Sequence, residues 1–113
     1  MKRIEVFIRD EKLSTVVDAL KNIGVGGLTV TKSQGRGAGE RPQIRAGRGT
    51  GTVTAEYNVT DNLITVVDDS KLEPVVSAIL NAASTNNKGD GKVFVTTVDE
   101  AYDIATKQKG NNI

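Results

Sequence analysis

The sequence predicts an α+β domain in which two helices cover one face of an antiparallel sheet. The first observation is an internal repeat, Lys-Leu-x-x-Val-Val-x-Ala-(Leu/Ile), at residues 12–20 and again at 71–79. The second is the helical spacing of the apolar residues in both copies, and the third is an apolar run before and after each copy. A chain of 113 residues is long enough for one domain but too short for two. We therefore expect two β-α-β units within one domain that spans residues 1–113.

The first unit begins with KRIEVFIR at residues 2–9, where alternating apolar residues predict a strand. The helix that follows has Asp10 as its candidate N-cap and Gly24 as its expected end. The segment GLTVTK at residues 27–32 predicts the second strand of the unit.

The second unit repeats this order. LITVV at residues 63–67 predicts a strand, and Ser70 with Glu73 three residues later has the pattern of a capping box for the next helix. Pro74 lies early enough in that helix to be tolerated. The segment KVFVTT at residues 92–97 predicts the last strand.

Two interleaved right-handed β-α-β units make the ferredoxin-like βαββαβ sandwich, with both helices on one face of the sheet. Nothing predicted within the chain covers the other face. The chain has only two Phe, two Tyr and no Trp, so its core must be aliphatic. We therefore expect about three subunits to bury these open faces together.

The composition excludes several classes of function. The chain has no Cys and no His, which excludes structural zinc, thiol chemistry and histidine acid-base catalysis. We expect neither a catalytic residue nor a metal site. There is no apolar run long enough to span a membrane and no secretory leader, which predicts a cytoplasmic protein without a membrane span.

The connection between the two units is long and rich in glycine. Residues 33–52 hold six of the twelve glycines and show no apolar periodicity, so we interpret the segment as a mobile functional loop, with an inert linker as the alternative. Four arginines lie between residues 33 and 56: Arg36, Arg41, Arg45 and Arg48. A Gly/Arg segment can also bind RNA, but this one has two acids and lacks aromatic side chains before Tyr57, so no nucleic-acid partner is expected.

A second glycine-rich segment, TNNKGDGKVFV, lies at residues 85–95. It is not a Walker loop, because its last lysine precedes a strand and not a helix. Its residues suit a tight turn, and its glycines also allow backbone N–H groups to converge on an anion beside Lys88 or Lys92. The pattern leaves a plain turn and a phosphate site both open. We call residues 84–92 the glycine loop.

Residues 85–95 satisfy every position of the pattern (Ser/Thr)-x-x-x-Gly-Asp-Gly-Lys-(Ile/Val)-Phe-aliphatic, and with the opening MKRIEVFIRDEKLSTVVDAL they resemble the PII nitrogen-regulatory signalling family. The resemblance extends over nearly the whole chain and suggests an archaeal-type or divergent member. It implies a homotrimer with ATP or ADP in three clefts between subunits. The family's T-loop corresponds to about residues 33–56, its B-loop to the glycine loop, and its C-terminal loop to about 103–113.

The resemblance also implies roles for individual residues. The implied nucleotide-binding residues are Thr29, Gly35, Arg36, Gly37, Val66, Lys88, Gly89, Asp90, Gly91 and Lys92. The implied partner-binding residues are the T-loop arginines Arg41, Arg45 and Arg48. The implied partner is an ammonium transporter or a nitrogen-assimilation enzyme such as glutamine synthetase. These implications describe a sensor and not a catalyst, although a ferredoxin-like scaffold alone does not exclude a small enzyme.

Two departures from the family pattern affect ligand preference. Gly39 replaces a glutamine that helps to hold Mg and 2-oxoglutarate, so a nucleotide sensor without a 2-oxoglutarate response is an alternative reading. Asp103 and Ala105 replace two phosphate-binding arginines, and Lys107 or Lys109 is the candidate substitute. Tyr57 lies too near the far end of the T-loop to match the tyrosine that some members have uridylylated, so we expect no such modification.

Overall fold

The computed structural model describes residues 1–36, 43–45, 52–54 and 57–110. The described elements follow the predicted order, with two further short strands between the units. They are β1 (Lys2–Arg9), α1 (Leu13–Asn22), β2 (Thr29–Gly35), β3 (Gln43–Arg45), β4 (Thr52–Thr54), β5 (Asn58–Val67), α2 (Leu72–Ala83) and β6 (Gly91–Thr97). The predicted ferredoxin-like α+β class is confirmed. In the described ranges, no helix is long and apolar enough to cross a membrane.

The main sheet is antiparallel throughout and has the strand order β2-β5-β1-β6. One row of paired residues crosses it from edge to edge: Lys32, Asp61, Ile8 and Gly91. This register places the last residues of β2 and the first residues of β6 at the same end of the sheet. They lie on opposite edges, about 14 Å apart at three strand spacings.

The core lies between the helices and one face of the sheet. Its fully buried members are aliphatic side chains that alternate along the strands and recur at helical spacing: Ile4, Val6, Val16, Leu20, Leu63 and Ile79. Burial of each such side chain contributes about 1.5–3 kcal/mol. The opposite face keeps exposed apolar groups, among them Phe94, which is 52% exposed and packs edge-on against Phe7. It is the face of the sheet that no predicted element of the chain covers.

Both predicted helix starts are wrong in detail. A single 3-10 turn precedes each helix, at Asp10–Lys12 and at Asp69–Lys71, so Asp10 lies within a turn and does not cap α1. The capping box does not form, because Asp68 accepts hydrogen bonds from the N–H (3.3 Å) and hydroxyl (2.7 Å) of Ser70. Asp68 occupies the N-cap position of the 3-10 turn, where a carboxylate can accept from the N–H groups of the first turn, whereas Ser70 lies inside the turn.

The predicted end of α1 at Gly24 is confirmed. Gly24 has a φ of +81°, which favours glycine, and its N–H donates to the carbonyl of Lys21 at 3.1 Å. The N–H of Val25 donates to the carbonyl of Leu20 at 3.0 Å, which completes a Schellman motif.

The connection between the two units contains regular structure in its described residues. β2 continues to Gly35 and β5 begins at Asn58, so the two strands pair over the whole of β2 and continue past the last residue of β1. β3 and β4 also form a small antiparallel pair inside the T-loop, with Ile44 opposite Val53. Long-range pairing with a neighbouring strand extends these elements beyond what apolar alternation indicates.

Candidate functional site

The glycine loop joins α2 to β6, and the side chain of Asp90 closes it. The Asp90 carboxylate accepts hydrogen bonds from the N–H and hydroxyl of Thr85, both at 2.6 Å, and from the N–H of Asn87 at 3.3 Å. The Thr85 hydroxyl that donates to this carboxylate lowers the pKa of Asp90. An ionised Asp90 therefore holds the first half of the loop against its second half.

The two glycines of the loop have conformations that other residues adopt with strain. Gly89 has a φ of +89° and Gly91 a φ of +132°. A Cβ atom on Gly91 would lie 1.9 Å from the carbonyl oxygen of Phe7. β6 thus approaches β1 so closely at this point that no side chain fits. The Gly-Asp-Gly sequence is explained first by this backbone geometry.

Two consecutive N–H groups of the loop, those of Lys88 and Gly89, have no hydrogen-bond acceptor among the described residues. Four others are already used inside the loop, those of Thr85, Asn86, Asn87 and Asp90. Among the residues that the structure describes, none accepts a hydrogen bond from the N–H of Lys88 or of Gly89. The loop therefore offers two consecutive N–H donors in a segment that also carries Lys88 and Lys92, a combination that suits an anion.

Arg9 contacts the same loop, and sequence reasoning missed it. Its Nε donates to the carbonyl oxygen of Gly89 at 2.9 Å, and its Nη2 lies 3.4 Å from the carbonyl oxygen of Lys88. Arg9 is the last residue of β1, which pairs with β6. No local pattern links residue 9 to residues 88 and 89, because the contact depends on the pairing of strands that are far apart in sequence.

The other predicted nucleotide contacts lie on the edge strand β2 and its neighbour β5. Thr29 pairs with Ile64 on the open face, and Val66 lies further along β5 in a groove of about 660 Å³. Gly35 and Arg36 lie at the end of β2, where the T-loop begins. One chain therefore contains two half-sites on opposite edges of its sheet, and these residues do not meet the glycine loop within one subunit.

Several predicted residues lie outside the described ranges: Gly37, Gly39, Arg41 and Arg48. The backbone of Arg45 is described in β3, opposite Thr52. The partner-binding role of the T-loop arginines therefore stays a prediction.

The C-terminal segment that contains Asp103 and Ala105 is held by contacts of its own. The Asp103 carboxylate accepts the N–H of Thr106 at 3.0 Å, which stabilises a turn. The Nζ of Lys109 pairs with Glu100 at 3.1 Å and lies 5.9 Å from the centre of the Tyr102 ring. Lys109 is therefore already paired with a carboxylate, which makes Lys107 the better candidate substitute of the two.

A second cluster that the sequence did not predict lies at the base of the T-loop. Asp61 on β5 is fully buried, and its Oδ1 is 2.9 Å from the Nζ of Lys32 on β2. The same ammonium lies 2.5 Å from Asp10, and this contact lowers the pKa of Asp10 and raises that of Lys32. The cluster ties together the two strands from which the T-loop extends.

Comparisons with known proteins match nearly the whole chain. The family model described as "Nitrogen regulatory protein P-II" matches residues 1–108. The nitrogen regulatory protein P-II of Azospirillum brasilense is 39% identical over 116 residues, covering 99% of this chain and 98% of the relative. That of Rhizobium meliloti (strain 1021) is 40% identical over 115 residues, covering 97% and 96%. The nitrogen fixation nifHD region GlnB-like protein 1 of Methanothermococcus thermolithotrophicus is 34% identical over 110 residues, covering 97% and 99%.

Proposed function

This chain belongs to the P-II family of nitrogen regulatory proteins, and from that premise we propose that it is a trimeric sensor of ATP and ADP. The observation that carries the proposal is the pair of N–H donors at Lys88 and Gly89, which lack an acceptor among the described residues. A site of this kind suits a ligand with several negative charges. A nucleotide phosphate chain is the ligand of that chemistry that the family resemblance implies.

In this proposal the phosphates lie against the glycine loop. The N–H groups of Lys88 and Gly89 donate to phosphate oxygens, and the ammonium of Lys92 balances their charge. A hydrogen bond to a charged group contributes about 1.5–3 kcal/mol, so loss of Lys92 should weaken binding by one to two orders of magnitude. The Asp90 carboxylate keeps its hydrogen bonds from the N–H and hydroxyl of Thr85, which partly neutralise its negative charge.

The two half-sites on opposite edges of the sheet support a homotrimer. A cyclic assembly brings one edge of a subunit next to the other edge of its neighbour. Thr29, Gly35 and Val66 of one subunit then approach the glycine loop of the next, and the base and ribose fill the cleft between them. Burial of the open face in the assembly also removes exposed apolar groups such as Phe94 from water.

The T-loop passes the signal to a partner. Gly35 and Arg36 lie where β2 enters this loop, so a ligand that contacts them favours one loop conformation over another. A difference of about 1.4 kcal/mol between two loop states changes their ratio about tenfold. Arg41, Arg45 and Arg48 then contact the partner, an ammonium transporter or an enzyme of nitrogen assimilation such as glutamine synthetase. The protein acts by regulating that partner and carries out no reaction of its own.

The response to 2-oxoglutarate is expected to be weak or absent. Gly39 has no side chain that can help to hold Mg and 2-oxoglutarate together in the cleft. We therefore propose a sensor of the ATP/ADP ratio.

Isothermal titration calorimetry on the full chain tests this function. We expect ATP and ADP each to bind at one site per subunit, and 2-oxoglutarate with Mg to leave the affinity for ATP unchanged. Sedimentation of the same sample should give a trimer. A protein that binds neither nucleotide would refute the proposed function, and a stable monomer would refute the cleft between subunits.

A further inference from the structure

We propose that Arg9 is a positioning residue of the nucleotide site, because its guanidinium fixes the direction of the N–H group that receives the phosphate. This inference rests on the proposed function. Arg9 lies outside the glycine loop, at the end of β1.

In a planar trans peptide the carbonyl oxygen and the N–H point in opposite directions. The N–H of Gly89 belongs to the same peptide as the carbonyl of Lys88. Arg9 Nη2 lies 3.4 Å from that carbonyl oxygen, so the N–H of Gly89 points away from Arg9. The direction of this donor is thus set by the contact on the other side of the peptide.

The neighbouring peptides are held in the same way. The carbonyl of Gly89 accepts a hydrogen bond from Nε of Arg9 at 2.9 Å, and the N–H of that peptide, on Asp90, donates to the carbonyl of Asn87 at 3.4 Å. The carbonyl of Asn87 shares its peptide with the N–H of Lys88. Arg9 and this turn together therefore direct the N–H groups of Lys88 and Gly89 to one side of the loop.

The loop needs such a contact because Gly89 is conformationally permissive. Gly89 lies at a φ of +89°, and a glycine can exchange between conformations of positive and negative φ at little cost. A rotation of the peptide between Lys88 and Gly89 would turn a carbonyl oxygen toward the phosphate, where the two would repel. Two bonds from one planar guanidinium oppose that rotation.

An arginine fits this role better than a lysine. The guanidinium presents its donors in a rigid fork, which here contacts two consecutive carbonyl oxygens. A lysine at position 9 would keep the positive charge but contact one of them at a time. Arg9→Lys therefore separates positioning of the loop from a direct electrostatic attraction to phosphate.

The experiment compares Arg9→Lys and Arg9→Met with wild type, and uses Lys21→Met on α1 as the control for loss of an exposed charge. Calorimetric titration with ATP and with inorganic triphosphate gives the affinities. Proton–nitrogen correlation spectra of the ligand-free protein report the Gly89 N–H. We expect both Arg9 variants to lose about tenfold in affinity for both ligands, the worth of one well-oriented hydrogen bond to a charged group. The Gly89 resonance should shift or broaden in both, and Lys21→Met should match wild type.

The possible outcomes separate the hypotheses. If Arg9→Lys binds both ligands as tightly as wild type, the residue acts by charge alone and the positioning role is wrong. If the Gly89 resonance is unchanged in both variants, the role is also wrong. If Arg9→Met fails to fold, Arg9→Lys decides by the same two measurements. If wild type binds neither ligand, the proposed function fails, and the Gly89 resonance still shows whether Arg9 holds the peptide.

Discussion

Gly91→Ala should destabilise the protein more than any other single glycine substitution at a described position. The new Cβ would lie 1.9 Å from the carbonyl oxygen of Phe7, where a normal contact needs more than 3 Å, so β6 must move away from β1. The residue would also keep a φ of +132°, which costs about 1–3 kcal/mol for a residue with a side chain. The adjacent hydrogen bonds between β6 and β1 would also be lost, so we expect the free energy of unfolding to fall by about 3 kcal/mol or more.

Gly26→Ala is the matched control for this substitution. A Cβ on Gly26 meets no atom within 4 Å, and its φ lies outside the range that favours glycine. Replacement of such a glycine stabilises a protein by about 0.4–1 kcal/mol or has little effect. Urea unfolding followed by circular dichroism, at one fixed subunit concentration for both variants, measures the difference. A free energy of unfolding for Gly91→Ala within 0.5 kcal/mol of wild type would contradict the close approach of β6 to β1.

Three further substitutions test the site and its surroundings. Lys92→Ala should weaken ATP binding by one to two orders of magnitude in calorimetry, because it removes an ammonium beside the phosphate donors, and Lys21→Ala should not change it. The pKa of Asp90 is lower in the folded protein than in the unfolded chain. Ionised Asp90 therefore stabilises the fold at a pH above the pKa of the unfolded chain, and this stabilisation is lost as the pH falls through the pKa of the folded state. The melting temperature of wild type should therefore fall in acid more steeply than that of Asp90→Asn. Lys32→Met should lower the melting temperature at neutral pH, because it leaves the buried carboxylate of Asp61 without its cation, and adding Asp61→Leu should restore most of the loss.

Each of these predictions has an outcome that contradicts it. If Lys92→Ala and wild type bind ATP with equal affinity, the phosphates do not bind beside Lys92. Parallel acid melting curves for Asp90→Asn and wild type would mean that the bonds from Thr85 add nothing to stability. A double variant no more stable than Lys32→Met would show that the buried carboxylate is not the cause of the loss.

The sequence by itself determined the class of fold and the location of the glycine loop. Alternating apolar residues in β1 and helical spacing in α1 and α2 are local patterns, and burial of one face forces them into strands and helices whatever lies next to them. The Gly-Asp-Gly-Lys segment is equally local, since Gly89 and Gly91 need backbone angles that only glycine adopts easily.

Only the tertiary structure decided which residues act together at the site. Arg9 meets residues 88 and 89, and Lys32 meets Asp61, because strands far apart in sequence pair in one particular register. The same long-range pairing extends β2 and β5 beyond their apolar segments and places the two half-sites on opposite edges of the sheet. Side-chain patterns record which face of a strand is buried, whereas contacts across strands depend on register, which one strand's sequence does not specify.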